Sequence, residues 1–246
     1  MQTITHRIVK QPTISARFLA DYMAAGQRER ARRTIIQGCK YRSTARLVQH
    51  SEARAIVSGF IRSENQDVNA LTQKADWLRN KLSDSDFEAD QNQHNADYVA
   101  RFAKVFPNLT LPAATMEVPG KAPTLTLNGV RVTTDIHFRL RRMTKTNKVR
   151  IGAAMHRYAK GKALSLEAGE WQSAYLFGYL QTVAHEAQAD AERKLCITID
   201  AYSATVYAAP SDSVNRFHEI EATCATIAER WPNIEPPSNA VFPGDE

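Results

Sequence analysis

Thr124-Leu125-Thr126-Leu127-Asn128-Gly129-Val130-Arg131-Val132-Thr133-Thr134 is the stretch whose reading decides the fold class. Apolar and polar residues alternate on both sides of Asn128-Gly129. That pair is the strongest short hairpin signal, because a tight hairpin turn needs positive φ at both central positions. A strand through Ile136-His137-Phe138-Arg139-Leu140 and another over 148–154 are expected to extend the same sheet. Farther on, 165–192 reads as one long helix carrying Leu166, Trp171, Tyr175, Leu176 and Tyr179. Segments 195–199 and 204–208 read as strands, and Ser213–Arg230 as a last helix ended by Trp231-Pro232.

Upstream of the hairpin the period is helical. Ser15 is a candidate cap for a helix to about Ala25, with Phe18, Leu19, Tyr22 and Met23 on one face. Gly26 breaks it before 27–37, where Ile35 and Ile36 supply the apolar side. Ser51 is a second candidate cap, opening a helix with Ile56, Val57, Phe60 and Ile61. Two more helices follow over 67–82 and 88–106, with the turn and cap cluster Ser83-Asp84-Ser85-Asp86 between them. Pro107, Pro112, Pro119, Gly120 and Pro123 then punctuate the chain. These signals divide it into a helical N-terminal region (1–106), a Pro-rich linker (107–123), a mixed α/β core (124–231) and a flexible tail (232–246). The expected class is α/β (α+β), with N-terminal helices followed by a mixed-sheet core and its flanking helices.

The 246 residues are 43% hydrophobic and 24% charged, enough apolar content for a sizeable core. No apolar run approaches the roughly 20 residues needed to cross a bilayer. Met1–Lys10 lacks the apolar centre of a signal peptide, so a cytoplasmic location is expected. Cys39, Cys196 and Cys224 are odd in number and scattered, which argues for buried thiols over a disulfide framework or a zinc site. There is no glycine-rich phosphate loop and no Gly-x-Ser-x-Gly elbow, and 10 glycines is few for a nucleotide-binding enzyme. His185-Glu186 lacks the second histidine of a zinc-protease helix.

Charge is strongly segregated. Residues 1–62 carry 12 Lys and Arg against 3 Asp and Glu, and residues 131–162 carry 10 against 1. The intervening and following segments are acidic, leaving +6 overall. Such blocks suit a polyanion, because clustered cations neutralise phosphates and release their counterions. In the first block Arg28, Arg30, Arg32 and Arg33 crowd one helix, and guanidinium forks match phosphate oxygens. The competing reading is an ion-pair face against the acidic 63–106 region. In the second block Arg139, Arg141, Arg142, Lys145, Lys148 and Arg150 flank a strand–turn–strand unit with a turn at Thr144-Lys145-Thr146-Asn147, and Tyr158 is a candidate for stacking on a base. No aromatic-rich RNA-binding motif is present.

A hairpin, then Asp135 in Thr134-Asp135-Ile136, then a neighbouring strand and a helix carrying Gln172-Ser173-Ala174-Tyr175 resembles the PD-(D/E)XK restriction-endonuclease-like core. The resemblance covers at most 124–208. It implies that Asp135 holds Mg²⁺ and that a second strand supplies an acid and a lysine. That strand reads Val149-Arg150-Ile151-Gly152-Ala153-Ala154-Met155-His156, and no carboxylate lies between Asp135 and Glu167. One carboxylate is a poor Mg²⁺ site, since the ion needs several oxygen ligands. Glu117 and Glu167 are the available replacements. His137 and His156, on neighbouring predicted strands, would join Asp135 in a metal or general-base cluster if the register allowed it.

The leading expectation is therefore a non-catalytic protein with a degenerate nuclease-like core, binding DNA or RNA phosphates through its basic blocks and needing no cofactor. One alternative is an accessory module, in defence or counter-defence, docking on an acidic protein partner. The other is an active Mg²⁺-dependent nuclease. No membrane association is expected.

Overall fold

The computed structural model describes residues 4–45, 49–183 and 188–242 of the chain. The elements in order are β1 (His6–Ile8), β2 (Thr13–Ser15), α1 (Ala16–Ala24), α2 (Glu29–Lys40), β3 (Tyr41–Ser43), α3 (Ser51–Arg62), α4 (Val68–Arg79) and α5 (Asp86–Val105). They continue with β4 (Thr115–Glu117), β5 (Leu125–Leu127), β6 (Val130–Thr133), β7 (Phe138–Met143) and β8 (Val149–Arg157). The last are α6 (Leu166–Thr182), β9 (Ala189–Ala191), β10 (Ile197–Asp200), β11 (Thr205–Ala208) and α7 (Ser213–Arg230). The mixed α/β class expected from the sequence is what the chain adopts.

Most helix starts follow local chemistry. Ser15 accepts from Phe18 N at 3.2 Å, Asp67 from Asn69 N at 2.9 Å, and Ser165 from Ala168 N at 3.3 Å. At α5, Ser85 takes the Glu88 amide while Glu88 returns to the Asp84 amide, a reciprocal capping arrangement. Helix α3 departs from expectation. Ser51 lies inside it and His50 at the cap position makes no side-chain bond, because the buried Asn95 of α5 accepts from Ala53 N at 3.0 Å. A neighbouring helix supplies the cap. Phe18 and Leu82, counted as apolar-face residues by periodicity, are 46% and 94% exposed.

The Asn128-Gly129 turn forms as read, with φ of 42° and 85°. The hairpin does not join the main sheet, however. Its strand β6 pairs with β2, parallel at Ile14↔Val132, so that β2, β6 and β5 form a separate three-stranded sheet. The main sheet runs β11-β10-β8-β7-β4, with β9 paired to β8. Strand β4 therefore lies inside the stretch expected to be a linker, antiparallel to β7 at Glu117↔Arg139. Strand β9 occupies the expected end of the long helix, and His185-Glu186 falls outside the described residues. The two strands were hidden because each has three residues, too few to show a period.

Strand β8 is central. It pairs antiparallel with β7 (Phe138↔Ala154) and, after the α6 crossover, parallel with β10 (Ile197↔Ala154). Alternation divides its side chains between two apolar clusters. Ala154, with Phe138, Leu140, Ile197 and Ile199, packs toward α3, α4 and α5. Ala153 and Met155 pack toward α1, α2, α6 and α7. Each cluster draws on residues from both sides of the Pro-rich segment.

The segment after α7 is docked rather than loose. The buried Lys40 ammonium donates to the carbonyls of Trp231, Pro232 and Ile234, and Tyr41 OH also donates to Ile234 O. Val241 O accepts from the amides of Thr5 and His6. Carbonyls past a helix end need donors when they are covered, and the N-terminal segment provides them. Among the described residues, no helix is long and apolar enough to cross a membrane.

Gly152 marks the tightest approach in the sheet, since a Cβ there would stand 2.1 Å from the Leu195 carbonyl oxygen. Gly152→Ala is expected to cost about 3 kcal/mol by overpacking, a fall in Tm of roughly 6–12 °C for a chain of this size. Gly59→Ala in α3, where nothing lies within 4 Å, should leave Tm unchanged or raise it. Thermal unfolding of the two variants checks the pair.

Candidate nucleic-acid interface

The site candidate lies where β8 ends and the chain enters β7. Thr134 is held by Tyr175 OH of α6 at 2.7 Å, which sets the backbone just before Asp135. The Asp135 carboxylate is largely exposed and accepts from Arg54 Nη1 of α3 at 2.7 Å. His137 Nε2 stands 3.6 Å from the same carboxylate, too far for a hydrogen bond. Its backbone N–H donates to Ala154 O at 2.9 Å, and its Nδ1 accepts from the His156 amide at 3.1 Å. A ring nitrogen that accepts an amide proton carries none itself, so neutral His137 holds its proton on Nε2.

The register between β7 and β8 stacks His137 on His156, with ring centroids 4.8 Å apart and planes at 20°. The register thus brings His137 beside both Asp135 and His156, but among the described residues no three such side chains are placed to hold a metal ion, so the metal cluster read from sequence is not formed. Burial pushes His137 down to about 4, more than Asp135 raises it, and holds His156 well below its ordinary value. Both nitrogens of His156 are buried without a partner among the described residues.

Aromatic residues complete the wall. Tyr98 of α5 lies flat on Tyr158, 4.1 Å between centroids and 4° between planes. His50 sets its edge against both rings at 5.6 and 5.4 Å. The Tyr98 and Tyr158 hydroxyls and His50 Nδ1 have no partner among the described residues. Burial raises both phenols, Tyr158 to about 12, so they stay protonated donors. These groups, with Arg17 and Arg54, line a cavity of about 430 Å³.

A second cavity of about 550 Å³ adjoins it, sharing Arg17 and Tyr158 and adding Arg28, Arg157 and Lys162. It opens at the carboxyl ends of β8 and β10, where α/β sheets characteristically bind ligands. Its deepest charges are consumed by the fold. Arg157 donates to Asp21, Gln172 Oε1 and Arg17 O, and Asp200 accepts from Leu164 N, Tyr202 N and Ser203 Oγ.

The two basic blocks meet only in part. Arg17, Arg28 and Arg54 from the first and Arg157 and Lys162 from the second line the paired cavities. Arg30 and Arg33 face Pro237 and Ser238 instead, Arg33 pairing with Glu235, and Arg32 lies over the Tyr22 ring at 4.3 Å. The competing reading, an ion-pair face against 63–106, gives way to contact with the segment after the last helix. Arg139 and Arg141 flank a small cavity with Glu117. Arg142 pairs with Glu192 and Arg150 with Asp190 at 2.6 Å, while Lys145 and Lys148 are exposed around the β7–β8 turn. Arg150 and Arg157 lie at opposite ends of β8, separated by about 23 Å of extended chain.

The Mg²⁺ site implied by the resemblance does not fit these residues. Gly152 pairs with Leu140 and Ala154 with Phe138, so the side chains from β8 and just past its end that line the cavity with Asp135 are Met155, His156 and Tyr158. Glu117 lies one strand away opposite Arg139, and Glu167 faces the second cavity. Among the described residues, Asp135 is the only carboxylate lining the first cavity, and Arg54 occupies it. Among the described residues, no three His, Cys, Asp or Glu side chains are placed to hold a metal ion. The buried thiols are pushed up, Cys39 to about 11 and Cys196 and Cys224 to about 12, and offer no nucleophile.

Sequence reasoning missed Arg17, His50, Arg54 and Tyr98 as site residues. Each is a single residue on a separate element, with no motif to join them. No protein-family model matches the chain, and no curated protein matches it in sequence.

The buried imidazoles predict acid sensitivity. Below the ordinary value of 6.5 the unfolded histidine takes a proton that native His137 refuses down to about 4. Stability from this group is complete above pH 6.5 and is lost as pH falls, by on the order of 3 kcal/mol across that window. His156→Phe, which keeps a stacked ring without a titrating one, should lose less stability than wild type between pH 7 and pH 5. Urea midpoints at the two pH values measure it; equal losses would mean that His156 is protonated in the native protein.

Proposed function

We propose that this is a non-catalytic nucleic-acid-binding protein built on a degenerate nuclease-like core. The observation that carries the reading is the paired cavity, which draws guanidinium groups from both basic segments to one end of the sheet beside buried aromatic rings. Guanidiniums neutralise backbone phosphates without sequence preference. The phosphate-facing set differs from the one read in sequence. Arg28 is kept, and Arg17, Arg54 and Lys162 replace Arg142 and Arg150, whose partners are Glu192 and Asp190.

The nuclease-like element of the reading is supported by chain order. Strands β4 and β7 pair antiparallel, Asp135 precedes β7, β8 follows as the neighbour, and α6 brings Gln172 and Tyr175 behind them. In this arrangement β4 takes the hairpin role that 124–134 was expected to fill. The non-catalytic element rests on the single carboxylate already paired with Arg54. A cytoplasmic location belongs to the same proposal and fits three buried, unbridged cysteines.

Fluorescence anisotropy with single-stranded DNA and RNA tests the reading. Arg17→Ala with Arg54→Ala should weaken binding about tenfold or more and reduce the salt slope by about two. Arg142→Ala with Arg150→Ala should leave the slope unchanged. An unchanged slope in the first pair sinks the proposal and favours an acidic protein partner.

Circular and linear substrates incubated with Mg²⁺ or Mn²⁺ are expected to stay intact. Cleavage by wild type that disappears in Asp135→Ala would establish the nuclease alternative.

A further inference from the structure

The first cavity has a property that backbone binding does not require. Six polar atoms on five of its residues are buried with no partner among the described residues: His50 Nδ1, the Tyr98 and Tyr158 hydroxyls, His137 Nε2 and both nitrogens of His156. Leaving one such group unsatisfied costs about 1–3 kcal/mol, and native structures hold few of them. Several on one wall therefore point to a polar ligand. The second cavity lacks this property among its deep charges, since Arg157 and Asp200 are satisfied by the fold.

The chemistry of the wall is that of an anion site. The two phenols and His137 Nε2 carry protons, and His156 offers one N–H. Arg17 and Arg54 stand at the same cavity, and the first turns of α1 and α3 open on it through Ser15, Arg17, His50 and Arg54. The opposing charge is Asp135, which Arg54 neutralises. The polar groups also lie deep: Tyr98 is 0%, His156 5% and Tyr158 9% exposed. A phosphodiester lying across the mouth does not reach them, whereas a strand terminus can enter. About 430 Å³ holds a phosphate together with part of its nucleoside.

We propose that this cavity captures the terminal phosphomonoester of a nucleic-acid strand, making the protein an end-binder. Tyr98, Tyr158, His137 and His156 donate to the phosphate oxygens, and Arg17 and Arg54 balance its charge. The inference deepens the nucleic-acid reading above and rests on it for the source of the phosphate.

The test uses the full chain and one oligonucleotide sequence bearing a 5′-phosphate, a 3′-phosphate or only hydroxyl ends, together with a circular single strand. One phosphorylated form is expected to bind about tenfold or more tighter than the hydroxyl-ended form. Tyr98→Phe with Tyr158→Phe should cut that preference to about twofold or less. The double variant keeps the stacked rings and removes only unpaired hydroxyls, so Tm should hold. Equal binding of all ends overturns the inference, and retained binding of the circle then leaves the backbone reading standing. End-dependent binding without any affinity for the circle supports the inference and removes the backbone reading. Displacement of the phosphorylated oligonucleotide by an equimolar mononucleotide overturns the assignment to a strand end.

Discussion

The pairing of β7 with β8 in the register Phe138↔Ala154 is the constraint on which the candidate site depends. A slip of one residue would turn the side chains of one strand over, exchanging those facing α5 with those facing α6. In the observed register His137 donates its amide to Ala154, receives the His156 amide on its ring and stacks on the His156 imidazole. Asp135 is then carried to the mouth of the cavity, within reach of Arg54. The parallel pairing of β8 with β10 sets the opposite flank, placing Arg157 beside Asp200 and opening the second cavity at the strand ends.

Part of the segregated charge in the chain becomes paired charge in the fold. Acids of the C-terminal segment reach back to the basic blocks, as in Arg142 with Glu192, Arg150 with Asp190 and Arg33 with Glu235. Exposed pairs of this kind contribute little stability, about 0–1 kcal/mol each. Their consequence is spatial: they lower the positive field around the β7–β8 hairpin. The cations at the paired cavities then matter more for attracting an anion.

The two cavities use polar groups in opposite ways. Around the second, Gln172, Asp21 and Asp200 satisfy backbone and guanidinium donors, and the polar groups hold elements together. Around the first, histidine and tyrosine side chains are desolvated without compensation, which depresses the imidazoles and raises the phenols. Tyr22, Ser58 and Gln172 also keep an unpartnered polar atom elsewhere among the described residues, but the first cavity gathers six such atoms on one wall.

Local chemistry was legible wherever it was short-ranged. The sequence by itself determined the Asn128-Gly129 turn, the caps at Ser15 and in the Ser83–Asp86 cluster, most helices and the mixed α/β class, because backbone preference and period act within a few residues. It also marked Asp135, His137, His156 and Tyr158, without the register that joins them. Tertiary structure alone decided that the β5–β6 hairpin pairs with β2, that β4 edges the main sheet, and that Asn95 caps α3. It alone brought Arg17, His50, Arg54 and Tyr98 to one cavity. Strand partners and cavity walls are contacts between residues tens of positions apart, selected by burial of whole faces, and no local pattern along the chain encodes which faces will meet.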